Sequence, residues 1–277
     1  SPKELAQAIG VSESSLKRWA DEGLVECQRT AGGHRRIPVQ EAVRFIRTFH
    51  HRLEDPGMLG LPALPVEDGD AAFDQALVAG DACIARAILI RRYLAGESLA
   101  ALGDGPVRGC LARVGELWKH GDDGIAVEHL ATATCLQAVE AVRALVPEPC
   151  DEAPVAVGTT PAGDPYLIPT LLAAGVLREN GFRAINLGPD LPLSAFISTA
   201  ERLRPTALWL SCSGTGPQAP RVPQDIARLC DAAARLDATV VVGGRALDPA
   251  TLPVRPNLHH VRSLGELAAF ARGRTAR

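Results

Sequence analysis

The chain has 277 residues, of which 47% are hydrophobic, and a formal net charge of −3 at pH 7. A chain of this length buries a sizeable core and divides into about two or three domains. The small negative charge excludes a uniformly basic surface, so any contact with nucleic acid must come from a local basic patch.

No apolar stretch approaches the roughly 18 residues that span a bilayer, and residues 1–4 lack the charged-then-apolar pattern of a signal peptide. The seven cysteines are widely spaced and are never arranged as C-x-x-C. Their odd number and spacing argue against a disulfide framework and a zinc knuckle, and predict buried, reduced thiols. We therefore expect a cytoplasmic protein with no membrane partner.

Changes in composition divide the chain into four segments. Residues 1–55 are rich in charge and in short helical patterns, and residues 56–68 form a linker rich in proline and glycine. Residues 69–148 have the patterns of a four-helix bundle. In residues 149–277, buried strand patterns alternate with longer amphipathic stretches. The predicted fold class is multidomain α and α/β: an N-terminal helix–turn–helix with a wing, a four-helix bundle and a Rossmann-like parallel sheet.

The first domain has the pattern of a helix–turn–helix. Ser1 caps a first helix and Ser12 caps a second, which is predicted over residues 13–20. A unit of this size is typical of DNA-binding elements. The second helix is predicted to face the major groove through four polar and basic side chains, Ser14, Ser15, Lys17 and Arg18. Trp19 on the same helix is predicted to be a core residue.

A two-stranded wing is predicted between residues 24 and 37, followed by a third helix from Val39 to about Leu53. The tip of the wing joins two glycines to a basic run, Gly32, Gly33, His34, Arg35 and Arg36. Glycines let the backbone approach a phosphate closely, and guanidinium groups neutralise it. Together with Gly10-Val11-Ser12 and Leu16-Lys17-Arg18-Trp19, this tip resembles the winged helix–turn–helix of MerR-type and excisionase-like regulators. The resemblance implies binding to double-stranded operator DNA.

Four helices are predicted in the middle block, over residues 73–80, 81–95, 106–119 and 125–146. Trp118 closes the third of them, and Glu128 and His129 lie in the first turn of the fourth. An indole beside a carboxylate–imidazole pair can wall an apolar ligand and offer it two polar contacts. The alternative is that Trp118 belongs to the bundle core while Glu128 and His129 are ordinary surface residues.

Four parallel strands are predicted in the last block, at residues 154–157, 184–187, 207–210 and 238–242. Because such folds bind ligands at the carboxyl ends of their strands, residues 159–169 after the first strand form the predicted binding loop, which contains Asp164 and Tyr166. Small residues end the later strands, namely Ser211, Gly243 and Gly244. They predict a slot that a ligand's tail could enter.

The bundle and the last block resemble the cobalamin-binding part of the CarH/LitR-type light-sensing repressors. Trp118, Glu128 and His129 match the W-x(9)-E-H pattern of that family, and Asp164 matches the aspartate of its G-D-x-H-x-x-G frame. The resemblance implies a bundle that covers the upper face of adenosylcobalamin and a loop histidine that ligates cobalt from below. Here Tyr166 replaces that histidine, and a phenol, whose ordinary pKa is about 10, is a poor cobalt donor at neutral pH.

Three outcomes stay open for the cofactor. The last domain binds adenosylcobalamin or another cobalamin weakly or with its own base still attached, or it holds haem or a linear tetrapyrrole instead. In the third outcome it binds none of these and serves only in assembly.

The resemblance and the absence of catalytic motifs predict a transcriptional regulator, specifically a repressor, and not an enzyme. The sequence contains no Ser–His–Asp set, P-loop or H-E-x-x-H motif. A ligand held between the bundle and the Rossmann-like domain is expected to set oligomeric state or DNA affinity, with light acting through an adenosyl cofactor. Since one DNA-binding unit contacts few base pairs, self-association into a dimer or tetramer is expected.

Three alternatives remain. One is a cobalamin-independent regulator with an empty, assembly-only sensor domain. The second is a corrinoid carrier or methyltransferase-type module. The third is a scaffold or anti-repressor that acts through protein contacts.

Overall fold

A computed structural model of the chain describes residues 1–63, 67–116, 121–214 and 221–275. The chain forms two compact units, Ser1–Pro147 and Glu148–Arg277. Within the described residues, no helix is both long enough and apolar enough to cross a lipid bilayer.

The first unit begins with a winged helix–turn–helix. Its elements are α1 (Pro2–Ala8), α2 (Glu13–Asp21), β1 (Gln28–Arg29), β2 (Arg35–Arg36) and α3 (Val39–Thr48). Ser1 forms a capping box with Glu4, and the Ser12 hydroxyl accepts a hydrogen bond of 3.1 Å from the Ser15 backbone N–H. The two short strands pair antiparallel, with Gln28 opposite Arg36. The predicted order of helix, turn, helix and wing is confirmed.

Trp19, predicted to be a core residue, is half-buried and packs against the buried ring of Phe45. Its ring centre lies 5.6 Å from that of Phe45 and 5.4 Å from that of His51. The prediction that α3 extends to about Leu53 is wrong, because the helix ends at Thr48. Beyond it the chain turns back towards α1, where the Glu54 backbone N–H donates to the Ala8 carbonyl at 2.7 Å.

The second part of this unit is a helical bundle. Its elements are α4 (Asp70–Val78), α5 (Ala82–Leu94), α6 (Leu99–Leu102), α7 (Arg108–Val114) and α8 (Asp122–Arg143). A helix start at residue 106 is wrong, because a π-helical turn, Gly103–Val107, joins α6 to α7. Pro106 has no N–H to donate and its ring conflicts with an α-helical turn, whereas a wider turn accommodates it.

The second unit is a five-stranded parallel sheet with helices. Its strands are β3 (Val155–Thr159), β4 (Arg183–Asn186), β5 (Ala207–Ser211), β6 (Thr239–Gly243) and β7 (Leu258–Val261). Its helices are α9 (Leu167–Glu179), α10 (Leu193–Leu203), α11 (Val222–Ala234) and α12 (Leu264–Thr275). The strand order is β4-β3-β5-β6-β7, so the chain reverses direction across the sheet between β3 and β5. Ligands of such sheets bind at the carboxyl ends beside this switch point.

The sequence predicted four of these strands but missed β7. The segment Leu258-His259-His260-Val261 is a half-exposed edge strand without a continuous apolar run. Its partner β6 is buried along most of its length, as its apolar run predicted. The fold class predicted from the sequence is confirmed.

The thiols are reduced, but they are not all buried. All seven cysteines are free; Cys110, Cys135, Cys212 and Cys230 are buried, whereas Cys83 and Cys150 are exposed. Burial raises the pKa of the Cys135 thiol to about 12 and that of the Cys230 thiol to about 11. The expectation of buried thiols is therefore wrong for Cys83, in the first turn of α5, and for Cys150, between α8 and β3, while Cys27 is only half-buried.

Candidate functional site

A buried carboxylate holds the loop after β3 at the carboxyl edge of the sheet. Asp164 is only 3% exposed. Its Oδ2 accepts hydrogen bonds from the backbone N–H groups of Ser213 at 2.6 Å and Gly214 at 2.8 Å, just beyond β5. Its Oδ1 accepts from the Tyr166 N–H at 3.1 Å. Asp164 thus joins the two loops that flank the switch point, and both its oxygens are occupied by the chain's own backbone.

The loop after β4 is tied to the same segment. The Thr160 hydroxyl donates to the Asp164 carbonyl at 2.5 Å and accepts from the Asp190 N–H at 2.8 Å. The Asp190 carboxylate accepts from the Gly163 N–H at 2.7 Å. Asp190 has a φ of +57°, a left-handed conformation that aspartate tolerates better than most residues. The loops after β3, β4 and β5 therefore form one hydrogen-bonded edge.

Tyr166 and Arg245 form the accessible part of this edge. Tyr166 is 44% exposed, and the guanidinium carbon of Arg245 lies 5.1 Å from the centre of its ring. Arg245 is held by a hydrogen bond of 3.1 Å from its Nε to the Ser213 carbonyl. Sequence analysis missed Arg245, although its place directly after Gly243 and Gly244 was a usable signal.

The small residues predicted to line a slot are in contact with the chain itself. A Cβ on Gly244 would lie 2.1 Å from the Cys212 carbonyl oxygen, and one on Gly243 would lie 2.9 Å from the Val261 carbonyl oxygen. Ser211 is buried as well. These residues are small because neighbouring strand ends approach closely, so no slot is formed at these positions.

Beneath the edge, the Trp209 indole fills the space between the sheet and α9. Trp209 is 2% exposed, and its Nε1 donates to the Thr170 hydroxyl at 3.0 Å. The Thr170 hydroxyl donates in turn to Asn186 Oδ1 at 3.1 Å. Gly158 lies opposite Trp209 on β3, and a Cβ there would lie 1.9 Å from the indole. Sequence analysis placed Trp209 on a strand but did not predict its place in the site.

No described group at this edge replaces the missing histidine. Burial, and after it the Asp164 carboxylate, raises the pKa of the Cys212 thiol, and a neutral thiol is a poor metal ligand. His259 lies on β7, where its ring packs 5.2 Å from that of Phe270. Among the residues that the structure describes, no group of three or more His, Cys, Asp or Glu side chains is arranged to hold a metal ion.

Glu128 and His129 lie in the second turn of α8, not in its first as predicted, because the helix already begins at Asp122. Trp118 lies outside the described residues. Glu128 accepts a hydrogen bond of 3.0 Å from the Thr132 hydroxyl, and His129 Nε2 lies 3.8 Å from Glu128 Oε2. The His129 side chain is 77% exposed, and Ile125 on the same helix is exposed too. This part of α8 therefore presents apolar and polar groups together on an open surface.

The predicted DNA-contacting residues of α2 are mostly exposed. Ser14, Lys17 and Arg18 lie on the surface, whereas Ser15 is half-buried. The Ser15 hydroxyl lies 2.9 Å from the Ser12 hydroxyl, so it belongs to the helix cap. Lys17 pairs with Glu13 at 2.8 Å along the helix surface, a contact that solvent weakens.

The two arginines of the wing have different surroundings. Arg35 Nη2 lies 2.5 Å from Asp21 Oδ1, and its Nη1 donates to the Lys17 carbonyl at 3.4 Å. Arg35 thus fastens the wing to α2. Arg36 and His34 are exposed. The geometry leaves Arg36, rather than Arg35, facing solvent where a phosphate could approach.

Three family models match the chain. The model of the MerR family regulatory protein matches residues 1–37, and two models of the B12 binding domain match residues 71–143 and 154–269. This set of domains is that of a regulator and not of an enzyme, as the sequence predicted. No curated protein matches the chain.

One solved structure shares the fold of the bundle and the sheet, and two others give weaker matches. The monomethylamine corrinoid protein of Methanosarcina barkeri superposes with a TM-score of 0.60 and 17% identity, over 73% of this chain and 95% of that one. The methanol:cobalamin methyltransferase complex MtaBC of Methanosarcina barkeri superposes with a TM-score of 0.40 and 15% identity, over 96% of this chain and 93% of that one. A cobalamin-binding protein of Desulfitobacterium hafniense DCB-2 superposes with a TM-score of 0.38 and 15% identity, over 74% of this chain and 98% of that one. At 17% identity the similarity to the first of these structures concerns the fold alone.

Proposed function

This chain belongs to the MerR-type regulators with a C-terminal cobalamin-binding domain, and from this premise we propose that it is a transcriptional repressor whose DNA affinity is set by a bound corrinoid. The observation that carries the proposal is the order, in one chain, of a DNA-binding domain and two B12-binding domains. We further propose a cytoplasmic location and a domain division at residues 1–55, 69–148 and 149–277.

The DNA-binding part of the proposal assigns base contacts to α2 and phosphate contacts to the wing. Ser14, Lys17 and Arg18 are exposed on α2, and Arg36 and His34 are exposed on the wing. Removing one side chain that binds a phosphate should lower the salt dependence of binding by about one unit of slope.

Arg36→Ala tests the phosphate contact. The DNA would be double-stranded and selected from a random pool. We expect the variant to bind all of its sequences more weakly, by a similar factor for each. The slope of log affinity against log salt concentration should fall by about 1. Arg228→Ala on α11 is the matched control, because Arg228 is an exposed arginine far along the chain, 3.7 Å from Asp225. Equal salt slopes for the two variants would show that Arg36 does not contact a DNA phosphate.

The sensing part is tested by DNA binding with and without adenosylcobalamin, in the dark and after illumination. We expect the cofactor to change the affinity, since a ligand shifts an equilibrium only through a difference in affinity for the two states. A response to light requires a light-sensitive cobalt–carbon bond and is expected only with the adenosyl form. DNA binding that is identical in all four conditions would favour the assembly-only sensor domain.

The presence of Tyr166 favours the assembly-only sensor domain, because the resemblance implies a cobalt-ligating histidine at this position. A corrinoid carrier or methyltransferase-type module has less support. A carrier depends on the cobalt-ligating imidazole that this chain lacks, and it needs no MerR domain.

A further inference from the structure

In the part of the chain that the structure describes, the carboxyl edge of the sheet lacks two features that favour removal of cobalamin's own base from cobalt. An imidazole of the protein would replace that base as a cobalt ligand, and a cavity would bury the detached nucleotide. In water at neutral pH the cofactor's benzimidazole stays on cobalt. A protein detaches it only where the new contacts outweigh the cobalt–base bond.

The first feature is absent because Tyr166 occupies the place that the resemblance assigns to histidine. Cys212 cannot substitute for it, since its thiol is buried and its backbone is packed against Gly244. The second feature is absent at each position where small residues predicted it. Ser211 is buried, Gly243 lies against Val261, and Gly244 lies against Cys212. Gly158, which was not among the predicted positions, lies against the Trp209 indole.

Trp209 is fixed as well as bulky. Its ring lies between β3 and α9, and the hydrogen bond from its Nε1 to Thr170 continues to Asn186. The Asn186 side-chain oxygen also accepts a hydrogen bond of 3.2 Å from the Gly188 N–H in the loop after β4. Moving the indole aside would therefore break a buried chain of hydrogen bonds that reaches the binding edge, which is costly in an apolar surrounding.

We propose that this edge binds cobalamin with its benzimidazole still on the cobalt, against the exposed ring of Tyr166, and that Trp209 excludes a detached nucleotide. The proposal rests on the proposed function, because it specifies the form of the same ligand. Tyr166 offers an aromatic surface of a size that suits a benzimidazole ring, and Arg245 covers part of it. The site therefore distinguishes corrinoids by the state of their lower face.

The absorption spectrum of bound cobalamin tests the proposal, because the base-on and base-off forms differ in colour. With the full chain we expect adenosylcobalamin to keep its red base-on spectrum in the dark. Cobinamide, a corrinoid that lacks the nucleotide, should bind more weakly than cobalamin by up to about tenfold, because it lacks the benzimidazole that contacts the Tyr166 ring. A yellow base-off spectrum of bound cobalamin would overturn the proposal.

Tyr166→His separates the two missing features. Because Tyr166 is exposed, the variant should fold, and cobinamide bound to it should show an imidazole–cobalt spectrum that the original chain does not give. Cobalamin bound to the same variant should stay base-on, since Trp209 still fills the space. If Tyr166→His alone converts cobalamin to the base-off form, Trp209 is not the obstacle.

A second pair of variants tests Trp209 directly. Trp209→Phe in the Tyr166→His background keeps an aromatic ring and should leave the base-on spectrum unchanged, whereas Trp209→Ala in that background should produce the base-off form. Should Trp209→Ala fail to fold, the spectra of cobalamin and cobinamide bound to the original chain and to Tyr166→His still test the proposal. If neither corrinoid binds the original chain, both the corrinoid-controlled repressor and base-on binding are contradicted. If cobalamin changes DNA binding but is bound with a base-off spectrum, only base-on binding is contradicted.

Discussion

Asp164 illustrates how one residue organises the binding edge. Its carboxylate accepts three backbone hydrogen bonds, from Tyr166, Ser213 and Gly214. The resemblance implies that an aspartate at this position orients the cobalt-ligating histidine, but in this chain both oxygens accept hydrogen bonds from the loops. A buried carboxylate is stable only when such donors surround it, so Asp164 fixes the relative position of the loops after β3 and β5.

Asp164→Asn should destabilise the chain by about 2–4 kcal/mol, because an amide NH₂ group would face backbone donors that then lack an acceptor. Urea unfolding at equilibrium measures this. Asp190→Asn is the matched control and should change the unfolding free energy by less than about 0.5 kcal/mol, since asparagine tolerates a left-handed backbone and keeps an acceptor oxygen. Equal losses in the two variants would show that Asp164 has no special role.

At the scale of elements, α3 contacts both the wing and the bundle. Glu41 accepts a hydrogen bond of 2.7 Å from the Glu26 N–H at the start of the wing. On the bundle side, Arg47 donates to the Tyr93 carbonyl and, at 2.8 Å, to the Glu97 carbonyl, while its guanidinium lies 3.7 Å from the centre of the Tyr93 ring. A cation at the end of α5 is favourable, because carbonyls there carry partial negative charge. The helix α3 is therefore the described connection between the DNA-binding domain and the bundle.

Arg47→Met should lower the unfolding free energy by about 1–3 kcal/mol, because the apolar stem remains while charged hydrogen bonds to two carbonyls are removed. Arg52→Met, just beyond α3, removes the same charge from an exposed position and should have an effect within about 0.5 kcal/mol. The urea midpoints of both variants measure the difference. Should the midpoints coincide, the contact of α3 with α5 contributes little to stability.

At the scale of the whole molecule, the single DNA-binding domain limits what one chain can recognise. Its helix α2 has nine residues, and only a few exposed side chains of it can contact bases. We therefore expect useful specificity to come from two copies bound to one operator.

We expect a dimer or larger assembly on DNA, with two half-sites whose centres are about one helical turn, roughly 10 base pairs, or a multiple of that apart. Footprinting on selected DNA measures the spacing, and analytical ultracentrifugation with and without adenosylcobalamin measures the mass. A footprint of one half-site with the mass of a single chain would contradict this prediction.

The amino-acid sequence by itself determined the order of domains, the capped helices, four of the five strands and the family. These features depend on neighbouring residues: Ser12 caps its own helix, and the apolar run of β6 predicts its burial. Only the tertiary structure decided where Asp164 points, because its partner Ser213 lies 49 residues away. The same holds for Trp209, which bonds to Thr170 at a separation of 39 residues, and for Arg35, whose partner Asp21 lies on another element. The small residues Ser211, Gly243 and Gly244 predicted an open slot, but the structure uses them for close approach of neighbouring strand ends. Which of the two occurs depends on tertiary packing, and the sequence around each residue does not specify it.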